Sequence, residues 1–281
     1  MKWFSAALAI AVAISGTAFA QISDDFEVDS SSVYTVVDSV SPSDGSVTFA
    51  YDYVAASIPL APRSGVGSTR GLRITANDSV GAAEAITVFH NTQLVGWLEC
   101  TLTVDIYMGV TGTSGTTEHA HIGVAGDGST VNQLFSPITG SGHFLAMSGE
   151  GGSSSDYRHY TPGLGPVPSG NLSYLNSTNT TNATGDTYQT LFPSPPYQFA
   201  GSPGNAWTTL EIVINAATVT YSLDGTPIIQ VATEVQDGSV SLGHADLFSS
   251  VSNPFQSQFV IYDNLVASCV VPVELQSFSI E

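Results

Sequence analysis

In the stretch TTEHAHIGV, Thr116 to Val124, two histidines stand two residues apart beside a glutamate, in a chain with six histidines. On a strand Ala120, Ile122 and Val124 take one face, so His119 and His121 project together from the other, about 7 Å apart. The pair suits either a zinc site, with His143 or His159 as third ligand, or a face whose imidazoles meet solvent or a ligand. No sequence spacing fixes a third ligand, so the ligand-facing reading is adopted. Glu118 shares the apolar parity and needs a partner, for which Arg158 is expected.

A second group lies in GEGGSSSDYRHY, Gly149 to Tyr160. Its glycines and serines let backbone approach a ligand, while Glu150, Asp156, Arg158 and Tyr160 offer the acceptors, donor and ring that sugar recognition uses. A polar hairpin loop closed by an Asp156–Arg158 contact is the plain alternative. Catalysis of glycoside cleavage with retention needs two carboxyl groups about 5–5.5 Å apart. Glu99 and Asp105 share a face in WLECTLTVD but stand about 20 Å apart along the strand. No catalytic residue is assigned, although acids from different strands, such as Glu118 with Glu150 or Asp156, remain open.

The elements that would position these residues are strands. Val47, Phe49, Tyr51 and Tyr53 alternate with Thr48, Ala50 and Asp52. In LECTLTVDIYM the apolar face is Leu98, Cys100, Leu102, Val104, Ile106 and Met108, and the wet or ligand-facing side is Glu99, Thr101, Thr103, Asp105 and Tyr107. WTTLEIVIN and TVTYSL lead to Asp224-Gly225, a hairpin turn signal. FVIYDNLVASC puts Phe259, Ile261, Leu265, Ala267 and Cys269 on one side, interrupted by Asp263. Amphipathic helical windows are absent, so the expectation is one all-β domain. Residues 161–205, rich in Pro, Gly, Ser, Thr and Asn, form an irregular insertion. Sequons occur at Asn77, Asn171, Asn176, Asn179 and Asn182. Trp97 and Trp207 are expected to pack in the core or at its rim.

The first twenty residues combine Lys2, an apolar run and a small-x-small ending at Ala18–Ala20, which predicts a secretory signal peptide cleaved before Gln21. The apolar run is too short for a membrane span. With Lys2 removed the basic residues are Arg63, Arg70, Arg73 and Arg158. A formal charge of −19 for the whole chain excludes nucleic acid as a partner and accords with an acidic extracellular protein. In an oxidising compartment Cys100 and Cys269 are most simply a disulfide; both also fall at apolar positions, which leaves buried thiols open.

The opening DDFE, the late WTTLEIVIN with its YSLDGTPI hairpin, and the terminal FVIYDNLVAS together resemble the concanavalin A-like lectin/glucanase superfamily, in particular laminin-G-like jelly rolls of secreted bacterial proteins. The resemblance implies a jelly-roll sandwich of two curved antiparallel sheets over residues 21–271, with adjacent first and last strands and a ligand groove. The segment 272–281 is then a C-terminal tail. Adjacent terminal strands would bring Asp25 beside Asp263, a plausible structural calcium site. The expected function is a secreted carbohydrate-binding or adhesive module taking a polysaccharide or other glycan. The alternatives are a glycan-active hydrolase or lyase with a cross-strand carboxylate pair, or a purely structural extracellular protein.

Overall fold

The computed structural model describes residues 19–79, 81–110, 118–134, 137–150, 156–162, 165–167, 171–177, 188–248 and 258–271. The expected signal segment (save its last two residues), the tail and the sequons at Asn179 and Asn182 lie outside them.

Two antiparallel sheets stack through their apolar faces, the sandwich that the resemblance implied. The first sheet has 8 strands, in the order β13 (Thr226–Ala232), β12 (Thr218–Leu223), β11 (Trp207–Asn215), β6 (Glu99–Gly109), β15 (Phe259–Val270), β4 (Arg70–Thr75) and β3 (Ser46–Asp52). Its remaining strand, β1 (Phe19–Asp24), also pairs with β15. The second sheet has 7 strands, in the order β10 (Gly165–Val167), β9 (Tyr157–Thr161), β8 (His143–Ser148), β7 (Glu118–Gly126), β14 (Gly238–Asp246), β5 (Glu84–Leu94) and β2 (Tyr34–Asp38).

The core lies where period-2 alternation places it. Leu102, Val104 and Ile106 of β6 and Leu210, Ile212 and Ile214 of β11 meet Ala120, Ile122 and Val124 of β7 and Leu242 of β14. Asp224 and Gly225 both adopt positive φ, as a two-residue turn of the type I′ class requires between β12 and β13. Tyr262 crosses the interior: its hydroxyl lies 2.6 Å from the Gly243 carbonyl and 3.0 Å from that of His121, fastening one sheet to the backbone of the other.

Two strands depart from simple alternation. In β3 the register against β4 shifts between Thr48 and Tyr51, where Ala50 has φ +53°. Val47 and Phe49 therefore pack on the core, while Tyr51 and Tyr53 turn to the outer face. In β15 the shift falls between Asp263 and Val266, where Asn264 has φ +53°. Phe259, Ile261 and Asp263 face outward and Leu265, Ala267 and Cys269 inward, so the single-sided reading of these six residues is corrected. Each inserted residue reverses which face the remaining side chains take.

At the bulge β15 also changes partner, from β4 (Val260–Tyr262) to β1 (Leu265–Cys269), while β6 runs along its other edge. First and last strands are adjacent, as the resemblance implied. The irregular stretch begins only after Val167, since β9 and β10 reach into it. Tyr174, Tyr188 and Phe192 from that stretch are core residues. The sequon residue Asn77 is 0% exposed, and its carboxamide nitrogen donates to Asp246 at 2.5 Å, which leaves no room for a glycan in the folded chain.

Cys100 and Cys269 face each other across β6 and β15 and are joined by a disulfide, both buried. Replacing both by Ala should lower the unfolding free energy by about 2–4 kcal/mol. Urea midpoints with and without the bond measure it; coincident curves would mean that strand pairing alone holds β6 to β15.

Candidate functional site

The register of the second sheet puts the sequence-predicted ligand residues on one face. Arg158 lies opposite Ala146, which lies opposite His121; Tyr160 lies opposite Phe144; His119 lies opposite Ser148. Glu150 and Asp156 flank the same strand ends. This face is covered. Residues 127–134 and 137–142 lie over it: the Asn132 backbone N–H donates to Thr87 Oγ1, its carboxamide donates to Ser241 Oγ, and Leu134 packs with Phe144, Ala146 and Tyr160. His119, His121, Glu150, Asp156 and Tyr160 are accordingly buried, with Arg158 half-buried.

His143 and His159 point the other way, into the core, where their rings lie 5.7 Å apart and His159 meets Tyr221. The sheet thus stands between them and the His119–His121 pair. Among the described residues no group of three or more His, Cys, Asp or Glu is placed to hold a metal. Glu118 and Arg158 fall on opposite faces, so the pairing expected for them is replaced by another. The Gln258 carboxamide, oriented to donate, reaches Glu118 at 2.7 Å.

Asp25 and Asp263 do not fit calcium. Asp25 is exposed, and its carboxylate accepts the Glu27 N–H of its own turn. Asp263 accepts from the Tyr53 hydroxyl at 2.9 Å, the Ser64 hydroxyl at 3.1 Å and the Asn264 N–H at 2.7 Å. A calcium ion needs six to eight oxygen lone pairs. Here the carboxylate is surrounded by donors.

Tyr53 and Ser64 belong to an arch, residues 53–69, that connects β3 to β4 over the outer face of the first sheet. Beneath it Asp105 and Asp263 are directly opposed on β6 and β15, both 0% exposed. Arg63 donates to Asp105 from its backbone N–H and from Nε at 2.9 Å, and from Nη2 to the Asn264 carbonyl. Thr209 and Asn264 complete the Asp105 shell. Burial pushes the Asp263 carboxyl up to about 6; its hydrogen bonds pull against that rise and the Asp105 charge adds to it. The cation here, Arg63, pairs with Asp105, and Asp263 is held by neutral donors. Trp207 pins the arch further, donating from Nε1 to the Pro59 carbonyl at 2.6 Å.

Beside the arch opens a pocket of about 260 Å³, lined by Tyr51, Ile58, Tyr107, Gly109, Asn205 and Phe259 among others. Its aromatic walls belong to a ladder across the sheet. Tyr53 meets Trp207 with centroids 5.2 Å apart, Trp207 meets Tyr107 at 5.5 Å, and Tyr107 stacks on Phe259 at 6.2 Å. The Arg73 guanidinium then sits 4.8 Å from the Phe259 ring and 5.3 Å from that of Tyr51. Gly109 makes room for Phe259, since a Cβ there would stand 2.7 Å from the ring. Asn205 is held rigidly: its carboxamide accepts the Val110 N–H and donates to the Val110 carbonyl.

Sequence reasoning placed Asp105 and Tyr107 on a wet or ligand-facing side but did not reach the pocket. Two of its walls, Tyr51 and Phe259, and the Arg73 that packs against both, come together through the two bulges and the β4–β15 register. Trp97 is buried in the core and Trp207 packs at the rim of the outer face.

No protein-family model matches the chain, and neither does any curated protein. Among solved structures it is similar to the Crh5 transglycosylase in complex with NAG, with TM-score 0.48 and 11% identity over 89% of this chain and 84% of that one. A protein of unknown function with a galectin-like fold from Bacillus subtilis gives TM-score 0.46 and 9% identity over 91% and 99%. The carbohydrate recognition domain of Emp46p, in metal-free form, gives 0.44 and 9% over 88% and 92%. Likeness this loose says nothing about what this chain binds.

The buried histidines give the protein a pH dependence. Burial pulls His143 down to about 4 and His159 and His244 down to about 3, from an ordinary 6.5, and the ring charges of neighbouring histidines add to the shift at His159 and His244. Burial also holds His121 well below 6.5. Unfolded chains take up these protons near 6.5 and folded chains do not. Stability is therefore full above about pH 6.5 and falls as pH drops toward the folded values. Asp263 acts oppositely, costing stability as pH rises from 3.8 to about 6. In thermal melts between about pH 7.5 and pH 4.5, His159→Phe should show a shallower acid loss than the parent; parallel curves would rule out this contribution of His159.

Proposed function

We propose that this chain is a secreted carbohydrate-binding β-sandwich whose binding surface is the outer face of the first sheet. The pocket between Tyr51, Tyr107 and Phe259 carries the reading. It is a concave site with aromatic walls, phenol groups and a fixed carboxamide at its rim, the mixture that suits a pyranose ring: C–H faces against aromatic rings, hydroxyls against polar tips. The outer face of the second sheet supports this choice by contrast, since its histidines and acids are buried and a packed loop docks on Thr87, Ser241 and Tyr160 of that face. The cross-strand disulfide and the leader-like first twenty residues support secretion into an oxidising compartment.

One observation favours a hydrolase instead: Asp105 and Asp263 are a cross-strand carboxylate pair. A general acid or base must reach the proton it transfers. Both carboxylates are buried beneath the arch and spend their oxygens on Arg63, Tyr53, Ser64 and Asn264. As built, the pair fastens the arch that forms one wall of the pocket.

Tyr107→Ala should weaken binding by about tenfold or more on an array of oligosaccharides probed with the purified protein, with the β-sheet circular dichroism signal unchanged. Undiminished binding by a folded variant would remove the pocket from consideration.

A further inference from the structure

The four arginines of the described fold are not equivalent. Arg63 is spent on Asp105. Arg73 is more than half buried on the outer face of the first sheet, between two walls of the pocket, and makes no ion pair among the described residues. Its Nε is buried with no hydrogen-bond partner. Asp78, the acid whose charge reaches it, accepts instead from Thr75 Oγ1 at 2.8 Å. Stacking on Phe259 and Tyr51 satisfies the flat faces of a guanidinium but leaves its N–H edge unmatched. Asp78 acts on this half-buried guanidinium only from a distance, and a carboxylate brought into contact is the group whose two oxygens fit its N–H edge as a fork.

We infer that the pocket takes an acidic sugar, a uronic acid residue whose carboxylate pairs with Arg73 while its ring packs against the aromatic walls. The inference rests on the reading of the pocket as a sugar site and adds its chemical class. The protein's formal charge of −19 narrows the class further. A dense polyanion such as a heavily sulfated chain is repelled at long range, whereas a short oligosaccharide presenting one carboxylate to one arginine is not excluded by that field.

The test uses calorimetric titration of the full protein with a galactose trisaccharide carrying one galacturonic acid residue, its methyl ester and the neutral galactose trisaccharide. The parent should bind the free acid about tenfold or more tightly than the ester. Arg73→Gln should abolish that preference while leaving the weaker binding of ester and neutral sugar in place. Arg73→Lys, which keeps the charge and loses the fork, should fall between. Equal affinity of the parent for acid and ester overturns the inference without reference to any variant, as does a preference that survives Arg73→Gln. Binding of all three sugars that ignores Tyr107→Ala overturns the pocket itself, and no binding of any overturns both.

Discussion

One extra residue in each of two strands decides what this protein shows to its surroundings. A strand alternates its side chains strictly, so an inserted residue sends every later one to the opposite face. At Ala50 the insertion turns Tyr51 and Tyr53 outward from a strand that began by facing the core. At Asn264 it lets Phe259, Ile261 and Asp263 face outward while Leu265, Ala267 and Cys269 close the interior. Without these bulges the aromatic ladder, the acid pair and the disulfide could not coexist on the same strands. Both residues stand in the left-handed region that non-glycine residues seldom enter. Asn264 is held there by its own hydrogen bonds to Asp263, Asp105 and Arg63.

The two outer faces are finished differently, and this separates scaffold from surface. On the second sheet, the segments around Asn132 and Gly140 settle onto Thr87, Ser241 and Tyr160, and β7, β8 and β14 are buried on both sides. His121 serves there as a bulky filler that burial keeps neutral. On the first sheet the arch covers only part of the face, held by Arg63, Trp207 and two carboxylates, and the pocket opens beside it. Burial of polar groups under the arch is tolerable because nearly every oxygen of the acid pair accepts a hydrogen bond.

Much of the fold was legible in the sequence, for a physical reason. The β6, β7 and β11 segments alternate without interruption, and Asp224-Gly225 announces its turn, so strand identity, core face and hairpin follow from local pattern. The parity of β7 likewise showed His119 and His121 on the side away from the core. It could not show that a loop would cover them, because the loop's docking is a long-range contact. The bulges at Ala50 and Asn264 left no compositional mark, since neither is a glycine, and a period-2 reading ran straight through them. Arg73 was visible as one of few cations, but its place over Phe259 and Tyr51 depends on the pairing of β3, β4 and β15, which a single strand does not encode.

The pairing of β1 with β15 sets how this molecule carries mechanical load. Ile22, just past the expected leader, lies opposite Ala267, so the chain enters and leaves at the same end of one antiparallel ladder. Tension applied between those two points peels the hydrogen bonds one after another, as a zip opens, instead of shearing them together. β1 can be drawn away at low force, and the advance then halts on the other side, where Cys269 is covalently tied to Cys100 in the middle of the sheet. The seam yields first, and the surface that bears the pocket stays assembled behind a covalent stop.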